Sequence, residues 1–298
     1  MSAVLVEDGP DKGAVWHFGE PTKEQRALEA GLAWADLSHY EIISISGEDR
    51  LTWLHSLTTQ HLENLAPGLW QQALILDPQG HIEHQFNLVD DGSTTWLVLD
   101  PGRATSLLIH LQRMKFMLAV DVHDVSNEYA ILRAPGITDD LGGPYALVPR
   151  AELDVMKATF AATATQVGTW ALDAQRVAAG RPRIGFETDH KSIPNEIGLL
   201  NKAVHMNKGC YRGQETVAKI ANLGNPPRRL VLLHLDGSVV TIPAAGAAVE
   251  KDGVKVGFIG TVARHHELGT IALAVIKRNT PMDAELTVDS IPATQEDI

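Results

Sequence analysis

Cysteine is almost absent from this chain, since Cys210 is the only one in 298 residues. A single thiol cannot form a disulfide within the chain, so a hydrophobic core has to stabilise the fold. One thiol also cannot hold a metal cluster that needs four cysteine ligands from one polypeptide. Hydrophobic residues make up 44% of the chain and charged residues 21%, as is usual for a globular protein.

Basic residues are scarce as well, with 25 Lys and Arg against 37 Asp and Glu and a net charge of −12. General nucleic-acid binding needs a broad basic face, and this balance argues against it. Apolar runs long enough to span a bilayer are missing. The first residues are acidic and lack the basic and apolar parts of a secretory signal. We therefore expect a cytoplasmic protein that contacts neither membrane nor nucleic acid in general.

Short strands and helices alternate along the first two thirds of the chain. Turn-forming runs at Asp77–Gly80 and Asp90–Ser93 separate predicted strands at 72–76, 81–89 and 95–99. Asp100 is the predicted N-cap of the next helix, whose apolar face is formed by Leu107, Leu108, Leu111 and Met114. This order predicts an α+β fold with mixed sheets and helices on one face.

The pattern of apolar and turn-forming residues changes after Pro227. Short apolar runs with glycine turns at regular spacing predict a small all-β barrel. We therefore expect an α+β region at 15–227, with two intertwined subdomains, and a C-terminal β-barrel at 228–298. Residues 1–20 are expected to be an irregular lead-in, and the polar residues from Thr280 onward to be partly loose.

Positive charge is concentrated in one segment of this acidic chain. Between positions 202 and 229, Glu215 is the one acidic residue, and six are basic: Lys202, Lys208, Arg212, Lys219, Arg228 and Arg229. Such a cluster repels itself unless an anion offsets it, so the segment is expected to meet an anionic ligand.

Cys210 lies inside this basic segment. Gly209 and Gly213 permit turns around it, and the apolar spacing from Gln214 predicts a helix that ends at Gly224. A cysteine just before a helix N-terminus and beside cations favours the thiolate. A lone cysteine is equally often a small buried apolar residue. Both interpretations stay open at this point.

The run KGCYRGQE at 208–215 resembles the signature of the YgfZ family of folate-binding proteins. These are relatives of the glycine-cleavage T-protein, an aminomethyltransferase, and the family includes a mitochondrial factor of iron–sulfur cluster maturation. The resemblance implies a T-protein-like folate-binding fold and tetrahydrofolate, or a derivative, as the cofactor. It also implies iron–sulfur client or assembly proteins as partners.

The resemblance also implies site residues. The segment Ile193–Leu199 is similar to a T-protein segment in which a glutamate holds the pterin ring, and Glu196 occupies that position. A fixed carboxylate can accept the adjacent N–H donors of a pterin. Arg228 and Arg229 match arginines beside the folate and would face its glutamyl part. In the signature, Cys210 and Lys208 are the catalytic candidates, and Tyr211 and Gln214 are expected beside the cofactor.

One feature of the T-protein is missing. Its pair of aspartates, of which one serves aminomethyl transfer, falls on His84 and Gln85, and Glu83 is the nearest carboxylate. We interpret His84 as a strand residue without a catalytic role. The sequence therefore favours a tetrahydrofolate-binding accessory protein that supports iron–sulfur cluster assembly or repair. The alternatives are a folate-dependent aminomethyl or methyl transferase and a non-catalytic scaffold that has lost folate binding.

No metal site is predicted from the sequence. His265, His266 and Glu267 could be taken for metal ligands. Adjacent histidines on an extended chain point to opposite faces, and a hairpin tip is the better interpretation.

Overall fold

Turn-forming residues interrupt the apolar runs, so most strands and helices of the described chain are short; the strand Val254–His265, with 12 residues, is the exception among the strands. The computed structural model describes residues 3–238 and 241–298. The strands are β1 Val4–Leu5, β2 Val15–His17, β3 Ala33–Asp36, β4 Glu41–Ser46, β5 Gln71–Leu76, β6 Ile82–Asp90, β7 Thr94–Leu99, β8 Asp121–Asp124, β9 Tyr129–Arg133, β10 Tyr145–Pro149, β11 Thr165–Val167, β12 Arg228–Leu235, β13 Ala248–Lys251, β14 Val254–His265, β15 Gly269–Lys277, β16 Leu286–Val288 and β17 Ile291–Asp297. The helices are α1 Pro21–Glu29, α2 Arg50–Leu57, α3 Ala104–Met114, α4 Leu153–Ala161, α5 Thr169–Ala178 and α6 Gln214–Leu223.

The chain folds into two compact units that each combine several segments. Unit 1 contains Met1–Ile75, His84–Ala171 and Ala203–Arg212. Unit 2 contains Leu76–Glu83, Leu172–Lys202 and Gly213–Ile298. In the part of the chain that the structure describes, no helix has the length and apolar character that crossing a bilayer requires.

Unit 1 is organised around a five-stranded sheet with the order β5-β6-β7-β4-β8. One face of this sheet packs against α2 and α3, and the core between them includes Ile43, Phe86, Leu88, Leu107 and Leu111. A second sheet, β10-β9-β3-β11, packs against α4 through Trp34, Leu132 and Leu153. The predicted α+β architecture with helices on one face of a sheet is thus confirmed.

Unit 2 contains a closed six-stranded barrel with the order β12-β15-β14-β13-β16-β17. Its core consists of alternate residues of the strands, such as Val231, Leu233 and Ala274. A bulge interrupts β14 between Ile259 and Val262. There the Thr261 amide donates a hydrogen bond of 2.7 Å to Oε1 of Glu187, a side chain with no exposed surface. The predicted C-terminal barrel is confirmed.

Three local expectations were wrong. Residues after Thr280 are not loose, because β16 and β17 complete the barrel and β17 pairs with β12. The lead-in contains the hairpin of β1 and β2. Asp100 is not the N-cap of α3; Arg103 takes that position, and the amides of Arg103 and Ala104 donate to Oε2 of Glu41.

Candidate functional site

Glu196 is a buried carboxylate at the end of a short 3-10 turn, Pro194–Glu196, in unit 2. Only 2% of its side chain is exposed. Arg228, the first residue of β12, donates from Nε to Oε1 at 2.9 Å and from Nη2 to Oε2 at 2.8 Å. This bidentate pair fixes the plane of the carboxylate. The Ile193 amide lies 3.4 Å from Oε2 as a further donor.

A second carboxylate holds the other edge of Arg228. Nη1 donates to Oδ2 of Asp189 at 2.6 Å, and Nη2 reaches Oδ1 of Asp189 at 3.2 Å and Oγ of Ser192 at 3.3 Å. Burial would raise the pKa of Asp189, but hydrogen bonds from Arg228 and from the Lys191 amide outweigh it and hold that pKa well below its usual range. Burial would likewise lower the pKa of Arg228, and its bonds to the two carboxylates raise it instead. One guanidinium between two carboxylates carries a net charge of about −1.

Arg229 is separated from Arg228 by the alternation of β12, since successive side chains of a strand point to opposite faces. Its Nη2 donates to the carbonyl of Thr280 at 3.1 Å and to Oε1 of Gln295 at 2.5 Å. The two neighbouring arginines therefore belong to different hydrogen-bond networks. Arg229 lines a cavity of about 590 Å³ in unit 2, of which Glu196 is also a lining residue.

Lys208 lies in unit 1 and is only 6% exposed. Its Nζ donates to three backbone carbonyls at the end of α2: His55, Thr58 at 2.5 Å and Gln60 at 3.1 Å. Burial, only partly opposed by Glu63, lowers the pKa of Lys208 to about 8. A cation at a helix C-terminus satisfies carbonyls that have no partner within the helix. Lys208 therefore anchors its loop to the end of α2.

The other signature residues differ in exposure. Cys210 is a free, exposed cysteine. Tyr211 is buried, which raises its pKa to about 12, and its ring centroid lies 5.3 Å from Nζ of Lys208. Gln214 is the first residue of α6, as predicted.

The two signature glycines also differ. Gly213 has a φ of +81°, and a Cβ there would lie 2.6 Å from the Asp77 carbonyl, so this position requires glycine. Gly209 has open space around its Cα and a φ that any residue adopts. Gly224 ends α6 in the left-handed conformation, as expected.

The alternation of β6 separates Glu83 and Gln85 from His84. Phe86 and Leu88 face the core under α3, and His84 shares that face. Its ring centroid lies 5.6 Å from that of His110 on α3. Burial, with the charges of His110 and Arg103, lowers the pKa of His84 to about 4.

The opposite face of β6 carries Glu83, which is exposed, and Gln85, which is 8% exposed. Farther along that face, Asn87 accepts a hydrogen bond of 3.3 Å from Nε2 of Gln72. On the face of β6 away from α3, the buried polar side chain is therefore the carboxamide of Gln85, whereas the carboxylate of Glu83 is exposed.

Two histidine groups could suggest a metal ion. In unit 1, ligand atoms of His55, His61 and Glu63 lie within 4.8 Å of one another. However, Nδ1 of His55 accepts a hydrogen bond of 3.2 Å from the Leu62 amide, so Nε2, the atom nearest Glu63, carries the proton in the neutral ring. That tautomer cannot bind a metal through Nε2.

The second histidine group is the predicted hairpin tip. It connects β14 and β15 at residues 266–268. The rings of His265 and His266 stack at 4.8 Å instead of pointing to opposite faces, because His266 already lies in the turn.

Asp189 and Ser192 were missed in the sequence. Their pattern is a local one, in which Ser192 Oγ donates to Oδ1 of Asp189 at 3.0 Å and Oγ accepts from the Asp189 amide at 2.9 Å. Asp and Ser three residues apart before a proline are typical of such turns. Nothing in that pattern indicates that Arg228, 39 residues later, completes the group.

Comparison with known proteins gives a consistent result. The chain is 26% identical over 302 residues to a chloroplastic protein of Arabidopsis thaliana that is named as a transferase, a match that covers 86% of this chain and 68% of the relative. It is 26% identical over 321 residues to the aminomethyltransferase of Rippkaea orientalis, with 90% and 86% covered. It is 26% identical over 250 residues to a mitochondrial iron–sulfur cluster assembly factor IBA57 homologue of Mycosarcoma maydis, with 72% and 61% covered.

Among solved structures, aminomethyltransferase T of the glycine cleavage system from Bartonella henselae superposes with a TM-score of 0.83 at 16% identity. The superposition covers 99% of this chain and 93% of the other. The chain thus has the fold of the glycine cleavage aminomethyltransferase, and its residues 13–136 match the family model of the GCVT N-terminal domain.

Proposed function

We propose that this protein binds tetrahydrofolate, or a close derivative, and serves as an accessory protein of iron–sulfur cluster assembly or repair. The observation that carries the folate part is the bidentate pair between Arg228 and the buried Glu196. Each carboxylate oxygen has two lone pairs; Arg228 uses one on each, and the Ile193 amide is a long further donor to Oε2 at 3.4 Å. The remaining acceptor sites suit the ring N–H and amino group of a pterin, which form a matching pair of donors.

Arg228 acts as a positioning residue in this proposal. Its bonds to Asp189 and Ser192 hold the guanidinium, and the guanidinium holds the carboxylate of Glu196 in one plane. The bound folate would supply the reduced pterin and its one-carbon chemistry, while these residues bind and orient it. Arg229 lies in a different hydrogen-bond network, from which it would contact the glutamyl part of the folate.

The iron–sulfur part rests on the signature loop and on the relative named as an iron–sulfur cluster assembly factor. Lys208 anchors the loop, and Cys210, two residues later, is exposed to a partner. An exposed thiol can become a thiolate, which is a soft ligand for iron and a nucleophile. We propose that Cys210 meets the cluster or the thiol of a client or assembly protein. Tyr211 and Gln214 would flank that contact.

Calorimetric titration under anaerobic conditions tests the folate part. Tetrahydrofolate is titrated into the wild type, into Glu196→Gln and into Glu215→Gln, a matched change at an exposed position of α6. We expect the Glu196 variant to bind at least about 10-fold more weakly, because one amide oxygen replaces two acceptors. The control variant should equal the wild type. Equal affinity in all three proteins, or no binding in the wild type, would refute the pterin role of Glu196.

Complementation of a strain that lacks the gene for this protein tests the role of the Cys210 thiol. Wild type, Cys210→Ser and the surface control Ser106→Ala are compared for restoring the activity of iron–sulfur enzymes. We expect the Cys210 variant to fail at equal protein level, since a hydroxyl is a poor ligand for iron and a weak nucleophile. Full restoration by Cys210→Ser would make a chemical role of the thiol untenable.

The alternative function is a folate-dependent aminomethyl or methyl transferase. It is favoured by the fold and by the similarity to an aminomethyltransferase. Glu83, on the same face of β6 as Gln85, would then be the candidate carboxylate. Turnover of tetrahydrofolate with an aminomethyl or methyl donor that disappears in Glu83→Gln would establish the enzyme in place of the accessory protein. A protein without folate binding that still restores the deletion strain would point to a scaffold.

The cytoplasm is the compartment we propose. Relatives with chloroplastic and mitochondrial names show that proteins similar to this chain are also found in organelles. Fractionation of cells that express the tagged full-length protein measures this directly.

A further inference from the structure

An exposed apolar tip connects α3 to β8 in unit 1. It consists of Phe116, Met117 and Leu118, which are 81%, 100% and 40% exposed. Three consecutive large apolar residues at the surface are unfavourable in water unless they serve a contact. The tip lies in the segment His84–Ala171 of unit 1, and the proposed folate and thiol contacts do not involve it.

The backbone holds Phe116 in an unfavourable conformation. Its φ is +46°, in the left-handed region that bulky residues rarely adopt. Burial does not offset this strain, because most of the residue is exposed to solvent. Glycine or asparagine would adopt the same φ more readily. The aromatic ring at this position therefore serves a purpose other than the stability of the chain, which is a property of residues that make functional contacts.

Both ends of the tip are fixed to the core of unit 1. On the α3 side, Nε1 of the buried Trp53 donates to the Met114 carbonyl at 3.1 Å. On the β8 side, the Ala119 amide donates to Oδ2 of Asp49 at 2.8 Å. A tip that is held at both ends loses less conformational entropy on binding than a free loop would.

Positive charge lies on the α3 side of the tip. Positions 101–120 contain no acidic residue in a chain that is acidic as a whole. Nζ of Lys115 lies 3.0 Å from Oδ1 of Asp121, whereas Arg113 is exposed and forms no ion pair with the described residues. Ile109, which is 45% exposed, lies one turn before Arg113 on the solvent face of α3. A carboxylate on a partner would complement Arg113.

Acidic side chains lie on the other side of the tip. The edge strand β8 exposes Asp121 and Asp124, and 70% of the Asp121 side chain is accessible. An anionic bilayer would attract Arg113 but repel these two carboxylates. A neutral bilayer would offer Arg113 no counter-charge. An apolar centre with charges of both signs around it suits a protein surface, whose rim can match each sign locally.

We propose that the tip binds a protein partner that has an apolar pocket with an acidic rim. Phe116 and Met117 would fill the pocket, and Arg113 would pair with a carboxylate of the rim. Ile109 would cover the edge of the contact on α3. Aromatic side chains in pockets, together with arginines, carry much of the free energy of binding in such interfaces.

Photo-crosslinking in living cells tests the position of the contact. The photoreactive residue benzoylphenylalanine replaces Met117 in one strain and Ile137, a loop residue of unit 1 that is 70% exposed, in a control strain. We expect an adduct with one other protein from position 117 and none with that protein from position 137. Phe116→Asn or Arg113→Glu in the same chain should abolish the adduct, and the attached partner peptide should contain apolar and acidic residues.

Four crosslinking outcomes would overturn the proposal. They are no adduct at position 117, the same adduct at position 137, an adduct between two copies of this chain, and an adduct that persists in both variants. The last outcome would show that the ring and the guanidinium do not contribute to the contact.

Affinity measurements with the identified and purified partner complete the test. The wild type should bind at least about 10-fold more tightly than Phe116→Asn or Arg113→Glu, and Ile137→Asn should equal the wild type. Phe116→Asn should melt at or above the temperature of the wild type, because asparagine tolerates the left-handed conformation, so unfolding cannot explain its weaker binding. Equal affinity of the wild type and Phe116→Asn would overturn the proposal.

Vesicle flotation separates a protein partner from a membrane. The probe is a vesicle of phosphatidylcholine and phosphatidylglycerol in equal parts. We expect neither the wild type nor Phe116→Asn to float with it. Flotation of the wild type that is lost in Phe116→Asn would show that the tip binds a bilayer and would refute the protein pocket.

Discussion

Replacing Lys208 with methionine separates an anchoring role from a catalytic one. Methionine keeps most of the apolar length of the side chain and removes the ammonium group. The carbonyls of His55, Thr58 and Gln60 then lose a charged donor at a position that is only 6% exposed. Water reaches such a buried site poorly, so the lost bonds are not simply replaced.

The expected loss follows from two opposing effects. Three hydrogen bonds from a charged donor contribute about 1.5–3 kcal/mol each, and burying an ammonium group costs several kcal/mol, which the variant no longer pays. The difference is a loss of about 3 kcal/mol in the free energy of unfolding. For units of this size it corresponds to a fall in melting temperature of about 6 °C or more.

Differential scanning calorimetry measures this change, with Lys219→Met as a control for the loss of one surface lysine. The control should melt within about 1 °C of the wild type, since surface substitutions change stability by less than about 0.5 kcal/mol. If Lys208→Met also melts within that range, water or the chain replaces the ammonium group. The anchoring of the loop by Lys208 would then be refuted.

Three further predictions concern single residues. Cys210 should react with a thiol reagent, one thiol per chain, without denaturant, because it is exposed; a reaction that requires urea would contradict this. As the pH falls from 6.5 to about 4, His84 binds a proton in the unfolded chain but not in the folded chain, so the free energy of unfolding decreases. Over that range it should decrease by about 2 kcal/mol less in His84→Phe than in the wild type, as measured by urea titration. Gly260→Ala should destabilise by about 2 kcal/mol, since its Cβ would lie 2.4 Å from Oε1 of Glu187, whereas Gly237→Ala has open space and should be neutral by the same assay.

Local signals were sufficient for much of the fold. Turn residues and period-two alternation predicted β5, β6 and β7 to within one residue at each end, and the apolar spacing after Gln214 predicted α6. Gly224 marked its end because a left-handed C-cap favours glycine. These features depend on contacts within a few residues, and so the sequence expresses them directly.

The closing strands of the barrel depend on distant partners. In β17 only Ile291 and Ala293 are buried, which is too short an apolar pattern to identify a strand. Its pairing with β12 joins residues about 60 positions apart, and closure of the barrel supplies the hydrogen bonds that the local sequence does not indicate. The polar composition after Thr280 therefore suggested a loose tail.

The parts of the candidate site that depend on the type of side chain could be predicted from the sequence, and the parts that depend on backbone carbonyls could not. The resemblance selects Glu196 and Arg228, and the structure shows that these two side chains form a direct pair; their role toward a folate stays a prediction. The role of Lys208 was hidden, because its acceptors are backbone carbonyls about 150 residues earlier, and any residue type supplies a carbonyl. Its place beside Cys210 makes Lys208 a catalytic candidate, which stays a prediction, and the three buried bonds add an anchoring role. Cys210, two residues after that anchor, carries an exposed thiol that is accessible to a partner, and Arg212 of the same loop is exposed as well.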